Sequence, residues 1–185
     1  MRTNKSQFAI LGWLSKHPMS GYDIKKRFAK TASFHWSETN AQIYPMLKKL
    51  TENRMVRAKV DPNSGARQRH IYTITAKGLT HLENWLAAPT EWSTTRDEFM
   101  LKITMGHATD PTVIHEQLAH YLQKIEDQQA LLADIKHHIQ TDHEGRGDQP
   151  YLLMAYDQAE TVLAAKQQWT KKTLRAFQQV HPNTC

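Results

Sequence analysis

Cysteine occurs once in the 185 residues, at Cys185, so no disulfide can form within the chain. Uninterrupted apolar runs are equally scarce, and none approaches the roughly 20 residues that a bilayer-spanning helix needs. The opening M-R-T-N-K-S-Q-F-A-I-L-G-W-L has a charged start and a short apolar run. Lys16 and His17 follow at once with no small-residue cleavage site, so it reads as a helix rather than a signal. A cytoplasmic protein without membrane association is expected. Motifs for covalent or phosphate chemistry are missing as well: there is no glycine-rich phosphate loop, no G-x-S-x-G and no H-E-x-x-H. Neither an enzyme nor a cofactor is expected. Eleven histidines invite a metal reading, best at Asp134, His138 and Asp142 on one helical face with His137 and His143 near. An exposed polar helix end accounts for the same pattern, and no metal is expected.

Acidic residues are scarce in one half only. Residues 1–88 hold 15 of the 24 Lys+Arg and 5 of the 18 Asp+Glu, a net charge of +10, whereas the remainder carries −4. A polyanion would be attracted to the first half and repelled by the second. An anionic membrane is the competing partner, but no single helix combines the basic and aromatic faces it would need.

The stretch S-E-T-N-A-Q-I-Y-P-M-L-K-K-L-T-E, residues 37–52, reads as a helix made to touch something outside its own core. Ile43, Met46, Leu47 and Leu50 recur at helical spacing and form one apolar stripe. Opposite lie Ala41, Pro45, Lys48 and Lys49, with Ser37, Thr39, Asn40, Gln42 and Tyr44 beside them. Asn and Gln can bond base edges in both directions, while Lys and Tyr reach phosphates. Pro45 is an odd residue for a filler helix, because it removes a backbone donor.

Two helices are expected before this one. The first has Phe8, Ile10, Leu11 and Leu14 as its face, and the second is capped by Ser20 and begins with Tyr22, Ile24 and Phe28. Tyr22 reads as core. After residue 52, Val56, Ala58 and Val60 alternate with Arg57 and Lys59, D-P-N-S-G turns the chain, and R-Q-R-H-I-Y-T-I-T returns. Three helices and a basic hairpin make a winged helix-turn-helix, with Arg67 and Arg69 as the wing residues facing DNA.

Thr75 caps a fourth helix with Leu79, Leu82 and Leu86 as its stripe, and a short helix carries Phe99, Met100, Ile103 and Met105. From Asp110 to about His138, Leu118, Ile125, Leu132 and Ile139 repeat every seven residues, with Ile114, Leu122 and Ile135 filling in. A last helix over 151–180 supplies Leu152, Tyr156, Ala159, Leu163 and Phe177. Two long helices cannot close a core alone, so each chain is expected to pair with a second copy. The fold class is therefore mainly α with a small β-hairpin wing. Residues 1–88 form the winged helix-turn-helix domain, and 89–185 form a helical dimerisation and effector-coupling domain.

M-S-G-Y-D-I, Q-I-Y-P-M-L-K-K-L and R-Q-R-H-I-Y-T-I-T-A-K-G, in that order and spacing, resemble the winged-helix signature of the PadR-type transcriptional regulators. D-E-F-M-L-K and the two-helix tail are similar to the longer members of that family. The resemblance implies a homodimeric repressor joined through its C-terminal helices. It also implies an inverted-repeat operator in double-stranded DNA and release by a small aromatic effector, a phenolic acid such as a hydroxycinnamate. Such a ligand needs a flat apolar slot and a cation or hydroxyl for its carboxylate. Candidates are His17, Met19 and Tyr22, then Arg96 and Met100, then Tyr151 and Tyr156. A sequence-tolerant architectural DNA binder without an effector is the rival reading.

Overall fold

The structure is a computed structural model that describes residues 5–31, 40–62, 64, 68–90, 96–142 and 145–182; the side chains of 29–31, 40 and 41 lie outside that description. The chain divides into two compact units, residues 1–92 and 93–185.

In the first unit, α1 (Ser6–Leu14), α2 (Gly21–Thr31) and α3 (Asn40–Glu52) precede strands β2 (Val56–Val60) and β3 (His70–Ile74), and α4 (Ala76–Ala87) follows. A two-residue strand, β1 (Met19–Ser20), completes a sheet of order β1-β3-β2. Both pairings are antiparallel, with Met19 opposite Tyr72 and Val56 opposite Ile74. This is the expected winged-helix arrangement, and β1 is the element that periodicity did not reveal. Two residues are too few to display an alternation.

The core is built from the stripes that spacing picked out. Phe8, Ile10, Leu11, Leu14, Ile24, Phe28, Ile43, Met46, Leu47 and Leu50 are all buried, joined by Met19, Val56 and Leu82. Burying side chains of this size removes apolar area worth about 1.5–3 kcal/mol each from water. The α4 stripe is different from the expected one. Leu82 is buried, but Leu79 and Leu86 are exposed. Phe8 of α1 stacks on Trp85 at 4.4 Å between ring centroids and meets His81 at 5.0 Å, so α4 meets α1 through His81 and Trp85 beside the buried Gly78 and Leu82, although Trp85 keeps part of its surface exposed. Tyr22 is likewise exposed rather than core, with Lys26 lying 4.8 Å over its ring.

Helix α3 ends in a left-handed turn. The Met55 N–H donates to the Leu50 carbonyl at 2.9 Å, the Arg54 N–H donates to Thr51 at 2.9 Å, and Arg54 has φ 59°. This closure satisfies carbonyls that the helix would otherwise leave unpaired, at a residue with a Cβ where glycine is the usual occupant. The turn is then locked against α4. Thr75 Oγ1 donates to the Arg54 carbonyl at 2.8 Å and accepts the Gly78 N–H at 3.1 Å, so the expected cap is present. Gly78 lies so close to this turn that an added Cβ would sit 2.1 Å from the Met55 carbonyl oxygen. Only glycine permits that approach.

The second unit contains α5 (Glu98–Thr104), a 3-10 turn at Gly106–Ala108, α6 (Pro111–Asp142) and α7 (Gln149–Val180). Asp97 caps α5 and Asp110 caps α6 through Thr112. Leu118, Ile125, Leu132 and Ile139, the seven-residue repeat seen in the sequence, are buried on α6 together with Ile114. Facing them, α7 buries Tyr156, Ala159 and Thr170. Lys136 bridges the two helices by pairing with Glu160. Phe99 of α5 stacks on Tyr121 at 3.8 Å and meets the edge of Trp169 at 6.3 Å. Among the described residues, no helix is long and apolar enough to cross a membrane.

Candidate nucleic-acid interface

Helix α3 runs without interruption through Pro45, although that residue supplies no N–H for the preceding turn. Its buried stripe fixes which side faces outward. Gln42, Tyr44, Pro45, Lys48 and Lys49 are all exposed, and Tyr44 retains 52% of its surface. Gly21 lets the Tyr44 ring lie over the start of α2, because a Cβ there would come within 2.7 Å of the ring. The ring is thereby held by packing although the residue as a whole stays exposed. Tyr44 also neighbours Tyr72 of β3, whose phenol is pushed above its ordinary value by burial first and by Tyr44 second. The raised Tyr72 phenol is neutral at physiological pH, and the anion-attracting charge of this face comes from lysine and arginine. Lys48 has 78% of its side-chain surface free, with Glu52 3.9 Å away. A pair so exposed is worth at most about 1 kcal/mol and does not hold the lysine from another anion.

The hairpin supplies the second cationic edge. Its neck is closed by the Asp61 N–H donating to the Arg69 carbonyl at 2.7 Å. Arg57, Lys59 and Arg69 are exposed along it. The Arg69 guanidinium donates to Asp23 Oδ2 at 2.8 Å, tying the hairpin to the first turn of α2. Ser37, Thr39 and Arg67 lie outside the described residues, and the side chain of Asn40 does too. The structure thus places Gln42, Tyr44, Lys48 and Lys49 on one exposed face, with Arg69 at the base of the hairpin. Asp23, the partner of Arg69, is a residue that sequence reasoning did not single out. Its only signal was its place three residues after a capping serine.

The effector candidates occupy varied surroundings. In the first unit His17 is exposed and contacts Arg27 at 3.4 Å, Met19 is 3% exposed within the core, and Tyr22 is exposed. In the second unit Arg96 is exposed, Met100 is 41% exposed and Tyr151 70%, whereas Tyr156 is buried and its phenol is pushed up to about 12 by burial. His138 Nδ1 pairs with Asp142 at 2.9 Å on an exposed helix end. No group of three or more His, Cys, Asp or Glu among the described residues is placed to hold a metal ion.

Residues 10–84 match the family model described as the transcriptional regulator PadR-like family, and residues 95–178 match the one described as virulence activator alpha C-term. Over 131 residues the chain is 34% identical to the negative transcriptional regulator PadR of Bacillus subtilis (strain 168), which spans 70% of each protein. It superposes on the crystal structure of Bacillus subtilis PadR in complex with operator DNA with a TM-score of 0.81 and 26% identity, covering 92% of this chain and 98% of that one. The crystal structure of Bacillus subtilis PadR in complex with p-coumaric acid matches with a TM-score of 0.74 and 25% identity, covering 92% and 97%.

Proposed function

The chain belongs to the PadR-like family of transcriptional regulators, and on that premise we propose that it is a ligand-responsive repressor. It binds an inverted-repeat operator as a homodimer and lets go when a phenolic acid binds. The observation that carries this reading is the face of α3, where Gln42, Tyr44, Lys48 and Lys49 are exposed above a fully buried stripe. Gln42, with Asn40 before it, reads base edges, and Lys48, Lys49, Arg67 and Arg69 hold phosphates. Ser37, Thr39 and Tyr44 complete the contact.

Residues 1–88 act as the DNA-binding part and 89–185 as the dimerising and effector-coupling part. In the dimer the two recognition helices lie about one DNA turn apart, roughly 34–36 Å. The effector is a small aromatic acid, met by residues drawn from His17, Met19, Tyr22, Arg96, Met100, Tyr151 and Tyr156. Its affinity must differ between the two dimer geometries. To swing a population from 99:1 to 1:99 that difference is about 5.5 kcal/mol. The protein is not an enzyme, needs no cofactor and works in the cytoplasm.

The test is gel-shift binding to duplexes selected by the chain from a randomised pool, with and without p-coumaric acid. A selected inverted repeat that is released by the acid supports the proposal. Equal affinity for every duplex would replace it with a sequence-tolerant architectural binder. Retention of a selected duplex at saturating acid would remove the phenolic effector alone.

A further inference from the structure

Arg69 enters the reading above as a phosphate contact, but its partner does not. Asp23 Oδ2 accepts three hydrogen bonds: from the Ser20 N–H at 3.1 Å, from the Ser20 hydroxyl at 2.6 Å and from Arg69 Nη2 at 2.8 Å. Ser20 Oγ accepts the Asp23 N–H in return at 3.2 Å. Ser20 is itself only 2% exposed and belongs to β1, paired opposite Ile71 on the strand that Arg69 leads into. The carboxylate is therefore a fixed post, held by a helix cap on one side and a strand pairing on the other. The hydrogen bond from Ser20 above all, and then Arg69, keeps its pKa below the ordinary carboxylate value, so it is charged at neutral pH.

Arg69, by contrast, has half of its side-chain surface exposed. A guanidinium carries five N–H donors in a planar fork, and Asp23 engages it through one nitrogen. Fixing one corner of the fork leaves the rest aimed in one direction. An acid beside a DNA-facing arginine lowers affinity for every duplex alike, since it repels all phosphates equally. Any contribution it makes to discrimination must come through where it points the arginine.

We infer that Asp23 is a positioning residue for operator reading, anchoring Arg69 so that its free donors meet a phosphate in one register of the helix. The inference rests on the DNA-binding reading. Without the anchor, Arg69 swings to whichever phosphate is near, which favours all sequences equally.

The test uses the full chain, a duplex selected by it from a randomised pool, and a scrambled duplex of the same length. Asp23→Asn keeps an oxygen for the Ser20 N–H and removes the charge. It is expected to tighten binding to the scrambled duplex and to lower the selected-to-scrambled affinity ratio by about fivefold, the most that one exposed ion pair carries. The same substitution made on an Arg69→Ala chain should leave the ratio unmoved, a result that a merely structural role for Asp23 would not give. Thermal unfolding of each variant establishes that the fold is retained, and Arg69→Ala alone, at an exposed position, should also lower the ratio. An unchanged ratio in Asp23→Asn, or an equal fall on both backgrounds, overturns the inference while leaving the functional reading intact. Failure of the parent chain to select any sequence overturns that reading and the inference with it.

Discussion

The two units solve the same problem of covering apolar side chains in opposite ways. Among the described residues, the first unit has 13 buried hydrophobic side chains against six large exposed ones, and the second has seven against ten. Three helices, a sheet and α4 enclose a volume in the first case. Two long helices share only a seam in the second, with Leu101, Tyr151, Met154 and Val180 each at least 60% exposed. A pair of helices has one mutual face and leaves the rest to solvent or to a partner. The contrast teaches that the first unit closes its own core, whereas the second leaves an apolar surface that the proposed second copy would cover.

The sharpest way to break the first unit is at its tightest backbone approach. Gly78→Ala drives a methyl group into the Met55 carbonyl and should cost about 3 kcal/mol, seen as a fall in the denaturant midpoint. In the second unit the comparable cut is Leu132→Ala, at a residue 2% exposed in the seam. It should cost about 2–3 kcal/mol. In the proposed dimer, where a second copy completes that unit, the loss should shrink as chain concentration rises, which calorimetry at several concentrations would detect. Smaller, and of opposite sign, is Arg54→Gly. It relieves the left-handed backbone at the end of α3 and should stabilise the first unit by about 1 kcal/mol.

Acid touches both units least and in the same direction. Asp23 in the first unit and Asp110 in the second are held below the ordinary 3.8, chiefly by hydrogen bonds from Ser20 and from Thr112. A lowered folded pKa means that the stabilisation is complete above the unfolded value and disappears as pH falls through the folded one. Melting temperature should therefore be flat from neutral pH to about 5 with respect to these two groups and decline below about 4. Asp23→Asn should flatten part of that decline.

The elements with a long, regular period were legible from residues alone. The heptad of α6 and the stripes of α1 and α3 each repeat a side-chain type often enough for the burial to be read directly. The α4 stripe was misread because Leu79, Leu82 and Leu86 satisfy the same period as Gly78, His81, Leu82 and Trp85, and only the stacking of Phe8 on Trp85 decides between them. Tyr22 was misplaced for a related reason. A tyrosine at a core-like spacing can equally lie along the surface under a lysine, as it does under Lys26. The cationic face of α3 was visible in sequence because its partner stripe was. Asp23 was not, since its importance lies in a residue 46 positions later.

The central claim is that a self-contained cationic unit meets DNA while an unclosed helical unit joins two copies. Light scattering of the purified chain, alone and with a selected duplex, tests it most directly. The account predicts a free mass twice the 21.4 kDa of one chain and two chains on each duplex. A 21.4 kDa species that binds the duplex one chain at a time would contradict it.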